Sequence, residues 1–182
     1  TYIGVEDVDK RVGVIASLPT AGESASPTVA NNAHKRMTQL CGLAEKGKIA
    51  PLIMVDNEKI KRLYPKLTVK KFWTTINNTV AGLFHVFNVL ANQDSEYTAF
   101  DPTDYDSIMS QAGCMIMGVT SVKDVESETA ISNALKKNLE KTLLAEGFDL
   151  TTATGAACVV VGGTEIFEET VGLMDSIEFG FD

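Results

Sequence analysis

TVKKFWTTINNTVAGLFHVFNVLANQ, residues 68–93, places Phe72, Trp73, Ile76, Val80, Leu83, Phe84, Phe87 and Leu90 at steps of three and four. A period of 3.6 residues stacks these side chains into one broad stripe, which predicts a single long helix. Thr68 stands ahead of the first periodic residue, where a hydroxyl can cap free backbone N–H groups. Ala81, Val86 and Val89 widen the apolar surface, so the helix is expected to be buried on more than one side. At 1.5 Å per residue it spans about 35–40 Å, long enough to serve as a spine between two packed bodies.

Upstream of the spine, residues 1–10 read as a loose lead-in. Val12–Leu18 is an almost continuous apolar run stopped by Pro19, the pattern of a strand covered on both faces of a parallel sheet. A loop over Thr20–Ser26 follows. Ser26-Pro27 then starts a helix carried by Val29, Ala33, Met37, Leu40 and Ala44 and ended by Gly47. Leu52–Val55 is a second apolar strand, with Asp56-Asn57 at its carboxyl end, where open α/β sheets put their ligands. Strand, helix and strand make a βαβ unit.

Downstream, residues 92–98 are polar and mark a boundary. Asp101-Pro102 opens a short helix through Gln111, broken at Gly113, and Cys114–Val119 reads as a strand. Ile131, Leu135, Leu139 and Leu143 stripe a helix ending near Gly147. Gly155–Val161 reads as a buried strand, and Thr164 caps a last helix with Ile166, Phe167, Val171, Met174 and Ile177. The expected fold class is α/β, divided into 1–67, a linking helix 68–93, and a second α/β layer over 94–182.

Composition narrows the function. The formal charge of −8 repels phosphate backbones, and the lysines at 59, 61, 66, 70 and 71 make only a local basic strip, so nucleic acid is a poor partner. No apolar run reaches the ~18 residues of a membrane span. Cys41, Cys114 and Cys158 are odd in number and far apart, which suggests neither a disulfide framework nor a metal site. Each is expected to be a small buried hydrophobe in a reducing cytoplasm.

Asp101 and Asp104 are the most chemically suggestive residues. Two carboxylates three residues apart can share a proton, hold a hydrated cation or orient an attacking water. Helix capping accounts for the same residues, with Asp101 as N-cap, Pro102 first in the helix and Asp104 complementing its dipole. Trp73 and Asn77, one turn apart, can stack a base and read its edge, or serve as a core ring and a surface amide. Gly162-Gly163 before a helix is a weak phosphate-binding pattern. His34 and His85 read as structural.

The order of these segments resembles the tubulin/FtsZ superfamily of polymerising GTPases. RVGVIASLP (11–19) looks like its strand into the ribose-side loop, and PLIMVDNEKI (51–60) like its strand ending in an Asp-Asn turn. The spine is similar to its central helix, and DPTDYDSIMSQAGCMIMG (101–118) with GAACVVVGG (155–163) to the acidic loop and strands opening its second domain. The resemblance implies a cytoplasmic cytoskeletal GTPase serving cell division or cell shape, binding GTP or GDP with Mg2+ and assembling head to tail with itself. It assigns guanine stacking to Trp73, base reading to Asn77 or Asn78, and a ribose contact to Glu23. Asp101 and Asp104 become the acids that enter the next subunit's nucleotide site and help activate water. The family's glycine-rich phosphate loop lies upstream of the matched region. The chain is therefore expected to be an interior piece, a GTPase-domain remnant (1–67) plus a second domain (94–182), and inactive alone. The alternative expectation is a non-catalytic binding or capping module.

Overall fold

The computed structural model describes residues 11–66, 68–94, 100–122 and 129–163, together with 165, 172, 173, 175 and 177. Three parallel strands form one sheet in the order β1-β2-β3, with β1 at Val14–Leu18, β2 at Leu52–Asp56 and β3 at Cys114–Ile116. The helices are α1 (Ala21–Ser24), α2 (Pro27–Glu45), α3 (Asn57–Leu63), α4 (Val69–Leu90), α5 (Pro102–Met109) and α6 (Ala130–Thr142). The chain is thus mixed α/β. No helix among the described residues is long and apolar enough to cross a membrane.

The continuous apolar run of β2 is explained by its place at the sheet's centre. Leu52 and Met54 point to one face and join Ala44 of α2, Ile49 and Ala145, while Val55 points to the other and joins Ile60, Ile76 and Leu144. A strand covered on both faces has no polar alternation to show. β1, whose apolar run predicts the same double cover, differs because it lies at the edge of the described sheet. Its side chains alternate between half-buried and exposed, and Ile15 is 47% exposed.

Local chemistry fixes the helix ends. Gly47 takes a positive φ of 64°, and the Gly47 and Lys48 amides donate to the Ala44 and Leu43 carbonyls at 3.0 and 2.9 Å. This pair of bonds is the Schellman ending, which favours glycine at the left-handed position. The expected loop over 20–26 contains a helical turn, α1, held by a reciprocal capping box between Thr20 and Glu23. Helix α3 has no counterpart in the sequence pattern. Asp56 creates it by accepting from the Glu58 and Lys59 amides at 2.8 and 3.2 Å, so Asp56 is a cap in this structure.

The spine is present as α4, with Phe72, Val80 and Leu83 packed around buried Ile76. Its other side is not covered by described residues. Trp73, Val86 and Val89 are 45%, 49% and 37% exposed. α5 docks on α4 through Tyr105, whose hydroxyl donates to Asn88 Oδ1 at 2.7 Å and whose ring meets Phe87 and Phe100. Partial burial raises the Tyr105 pKa, keeping this donor protonated.

The strand expected to open a second layer pairs instead with β2, in the register Leu52↔Cys114 to Met54↔Ile116. Beyond it, the Leu144 amide donates to Met117 and its carbonyl accepts from the Asp56 amide, so the segment after α6 closes over the strand ends. Gly155–Val161, expected to form a buried strand, has no regular structure, and Val161 is 70% exposed. Small and β-branched residues favour a strand only where an edge can receive their ladder. The expected last helix lies largely outside the described residues; Leu173 and Ile177 pack with Ile131 and Leu135 of α6.

Candidate functional site

A cleft of about 460 Å³ opens where the carboxyl ends of β1 and β2 lead into α1 and α3. It is lined by Thr20, Glu23, Glu58, Lys61, Arg62, Tyr64, Pro65, Phe72 and Trp73. Its position follows from the topology: parallel strands discharge their connections at one sheet edge, and the turns there part to leave a crevice.

Two residues singled out in the sequence, Glu23 and Trp73, meet in this cleft. Trp73 sits in the second turn of α4, steadied by an edge contact with Phe72 at 5.0 Å between ring centroids. At 45% exposed, it is open to the cleft it lines. Glu23 uses Oε2 to accept from the Thr20 amide and hydroxyl at 2.8 and 2.9 Å, leaving Oε1 for a ligand. Across the cleft, Glu58 Oε2 accepts from the Ala21 amide at 2.9 Å. That bond is the chief cause of its lowered pKa, followed by the charges of Lys61 and Arg62. Asn77 is exposed one turn beyond Trp73 and does not line the cleft.

The cleft's cations are engaged. Lys61 Nζ lies 3.6 Å from Glu58 Oε1, and Arg62 pairs with Glu146, which also accepts from Lys59 at 2.7 Å. The Lys59 hydrogen bond, with the charges of Lys59 and Arg62, holds the Glu146 carboxyl below its ordinary value of 4.5. A depressed carboxyl pKa contributes stability that is fully present above the unfolded-state value and is lost as pH falls through the native one. Urea unfolding of wild type and Glu146→Gln is therefore expected to differ at neutral pH and to converge as the pH falls through the lowered native value. A gap that persists in acid would remove the ion pair as its cause.

Asp101 and Asp104 lie outside the cleft and are exposed. They form a reciprocal capping box: Asp101 Oδ1 accepts from the Thr103 and Asp104 amides at 2.7 and 3.0 Å, and Asp104 Oδ2 accepts from the Asp101 amide at 3.3 Å. The Asp104 amide first, then that of Thr103, lowers the Asp101 pKa, so the group is an ionised acceptor at neutral pH. Capping occupies one oxygen of each acid. Gly162 and Gly163 are exposed, and the helix expected after them lies largely outside the described residues.

A second hollow, about 350 Å³, lies at the amino ends of the strands, lined by Gly13, Ile53, Phe84, Tyr105 and Met109 among others. Its guanidinium, Arg11, is paired with Asp106. It lacks the convergent polar groups of the first cleft, which is the better candidate for a ligand. Among the described residues no three His, Cys, Asp or Glu side chains gather where they could hold a metal ion. No protein-family model matches the chain, and no curated protein or solved structure is significantly similar to it.

Proposed function

We propose that the cleft is the base and ribose side of a guanine-nucleotide site in a tubulin/FtsZ-like polymerising GTPase, and that the acidic turn of α5 completes the site of the next copy. The observation that carries this reading is the meeting of Glu23 and Trp73 at the strands' carboxyl ends. A planar base can stack on the Trp73 ring and a ribose hydroxyl can donate to Glu23 Oε1, while Asn77 and Asn78, to which the resemblance gives base reading, stand further along α4 outside the cleft lining.

Lys61 and Arg62 are tied to carboxylates, so the cleft matches a base and sugar better than a triphosphate. The phosphates require a separate cradle, and Mg2+ bound with them supplies neutralising charge. The free oxygens of Asp101 and Asp104 can accept from a water and orient it. The low pKa of Asp101 suits acceptance rather than proton donation. Catalysis of this kind is positioning, realised only on assembly. A non-catalytic binding or capping module is the second reading, favoured by the fact that helix capping alone accounts for both acids.

Trp73 is the chain's single tryptophan, so its fluorescence reports the cleft directly. GTP and GDP are expected to quench it saturably with a Kd of about 0.1–10 mM, the strength of one stacking contact and a few hydrogen bonds. Glu23→Gln is expected to weaken binding about threefold to tenfold. Unsaturable quenching, equal for GTP and ATP, would sink the reading, and a submicromolar Kd would show a phosphate cradle within the chain.

A further inference from the structure

Nothing in the sequence links Cys41 to Cys114, yet their sulfurs lie 3.5 Å apart. Both are free thiols, Cys114 exposed and Cys41 half-buried. The approach does not depend on the sulfurs themselves. Cys41 packs on the cluster of Ala44, Leu52 and Met54, while Cys114 is held in register beside Leu52. The Gly113 amide also donates to the Ala44 carbonyl at 3.3 Å, tying the start of β3 to the last turn of α2. A disulfide needs an S–S distance of about 2.05 Å, so closure asks for a sulfur movement of about 1.5 Å between two anchored backbones.

We propose that Cys41 and Cys114 form a reversible oxidation site, which a low-molecular-weight disulfide converts into an intramolecular disulfide stapling α2 to β3. One cysteine thiolate attacks a sulfur of the small disulfide, breaking its S–S bond and releasing one small thiolate. The other cysteine thiolate then attacks the protein-side sulfur of the mixed disulfide, forming the Cys41–Cys114 bond and releasing the second small thiolate. The two protein thiols lose two electrons, the small disulfide gains them, and the two cysteine protons end on the released thiols. Desolvation of its sulfur, then the neighbouring Cys41, pushes the Cys114 thiol up to about 11, which keeps the reduced form protonated and the exchange slow. Cys158 is exposed and has no sulfur neighbour among the described residues, so it serves as an internal control.

The test is incubation of the chain with glutathione disulfide, alkylation, and non-reducing peptide mapping beside a thermal melt. The expected result is a Cys41–Cys114 linked peptide, a glutathione adduct on Cys158, and a melting temperature raised by roughly 5–15 °C and restored by dithiothreitol. Cys41→Ser and Cys114→Ser should each leave the remaining cysteine of the two as a glutathione adduct, with no rise. Glutathione on all three wild-type cysteines without a linked peptide, or a link through Cys158, would overturn the proposal. A linked peptide with an unchanged or lowered melting temperature would overturn the staple. The wild-type map decides the site even if a variant fails to fold.

Discussion

Leu52→Ala is expected to lower the free energy of unfolding by about 3–5 kcal/mol, the upper part of the range for truncating a buried leucine. Leu52 is fully buried in the central strand, with Val14 and Cys114 in register on either side and Ala44, Ile49, Met54 and Ala145 around it. Truncation there removes the transfer free energy of the lost atoms and leaves a cavity that two flanking strands prevent from collapsing. Domains of this size have total stabilities of about 5–15 kcal/mol, so the change takes a large share. Ile15→Ala is the matched control. It lies on β1 of the same sheet, is 47% exposed, and is expected to cost less than about 1.5 kcal/mol. Urea midpoints for the two variants, at unchanged slope, give the comparison. Equal losses would contradict the assignment of β2 to the centre and β1 to the edge.

The second large effect concerns hydrolysis and separates the two roles open to the acidic turn. In a polypeptide that carries this chain together with a phosphate loop, Asp104→Asn is expected to cut GTP turnover by about 10²–10⁴-fold, the range for loss of a group that positions or deprotonates the attacking water. Asparagine keeps an oxygen that can accept from the Asp101 amide, so the capping box survives, and the melting temperature should fall by no more than about 4 °C from the lost charge at the helix start. Nucleotide affinity should also hold, because Asp104 does not line the cleft. Turnover per molecule should appear only above a threshold protein concentration if, as proposed, the acid acts on a neighbour's nucleotide. If Asp104→Asn turns over like wild type, or turnover is flat with concentration, the acids are caps and the binding module is the better reading. Asp101→Asn offers the same comparison at the N-cap.

The features behind these two effects differ in how far residue order alone reveals them. The course of α2, β2, α4 and α5 is readable from residue order because period and caps act over a few neighbouring residues. Thr68 and the Asp101-Pro102 pair stand at the observed starts of α4 and α5, although the Thr68 side chain makes no capping bond, and Gly47 follows the observed end of α2 by two residues. α3 escapes because Glu58, Lys59, Lys61 and Arg62 leave it no apolar stripe. Its signal is the cap at Asp56 followed by an acid at Glu58 and basic residues at its end, a pattern that also fits a ligand-binding turn. Gly155–Val161 fails in the opposite direction: its composition suits a strand, but the described structure gives it no ladder to join.

Sequence alone therefore determined the α/β character, the long helix, and the place of Asp101 and Asp104 at a helix start, all of which rest on interactions spanning a few residues. Tertiary structure decided which strand lies at the centre, that β3 returns to the sheet of β1 and β2, that Glu23 and Trp73 share a cleft, and that Cys41 touches Cys114. Those relations join segments distant in the chain. Strand order and shared burial set them, and no local pattern of residues encodes either.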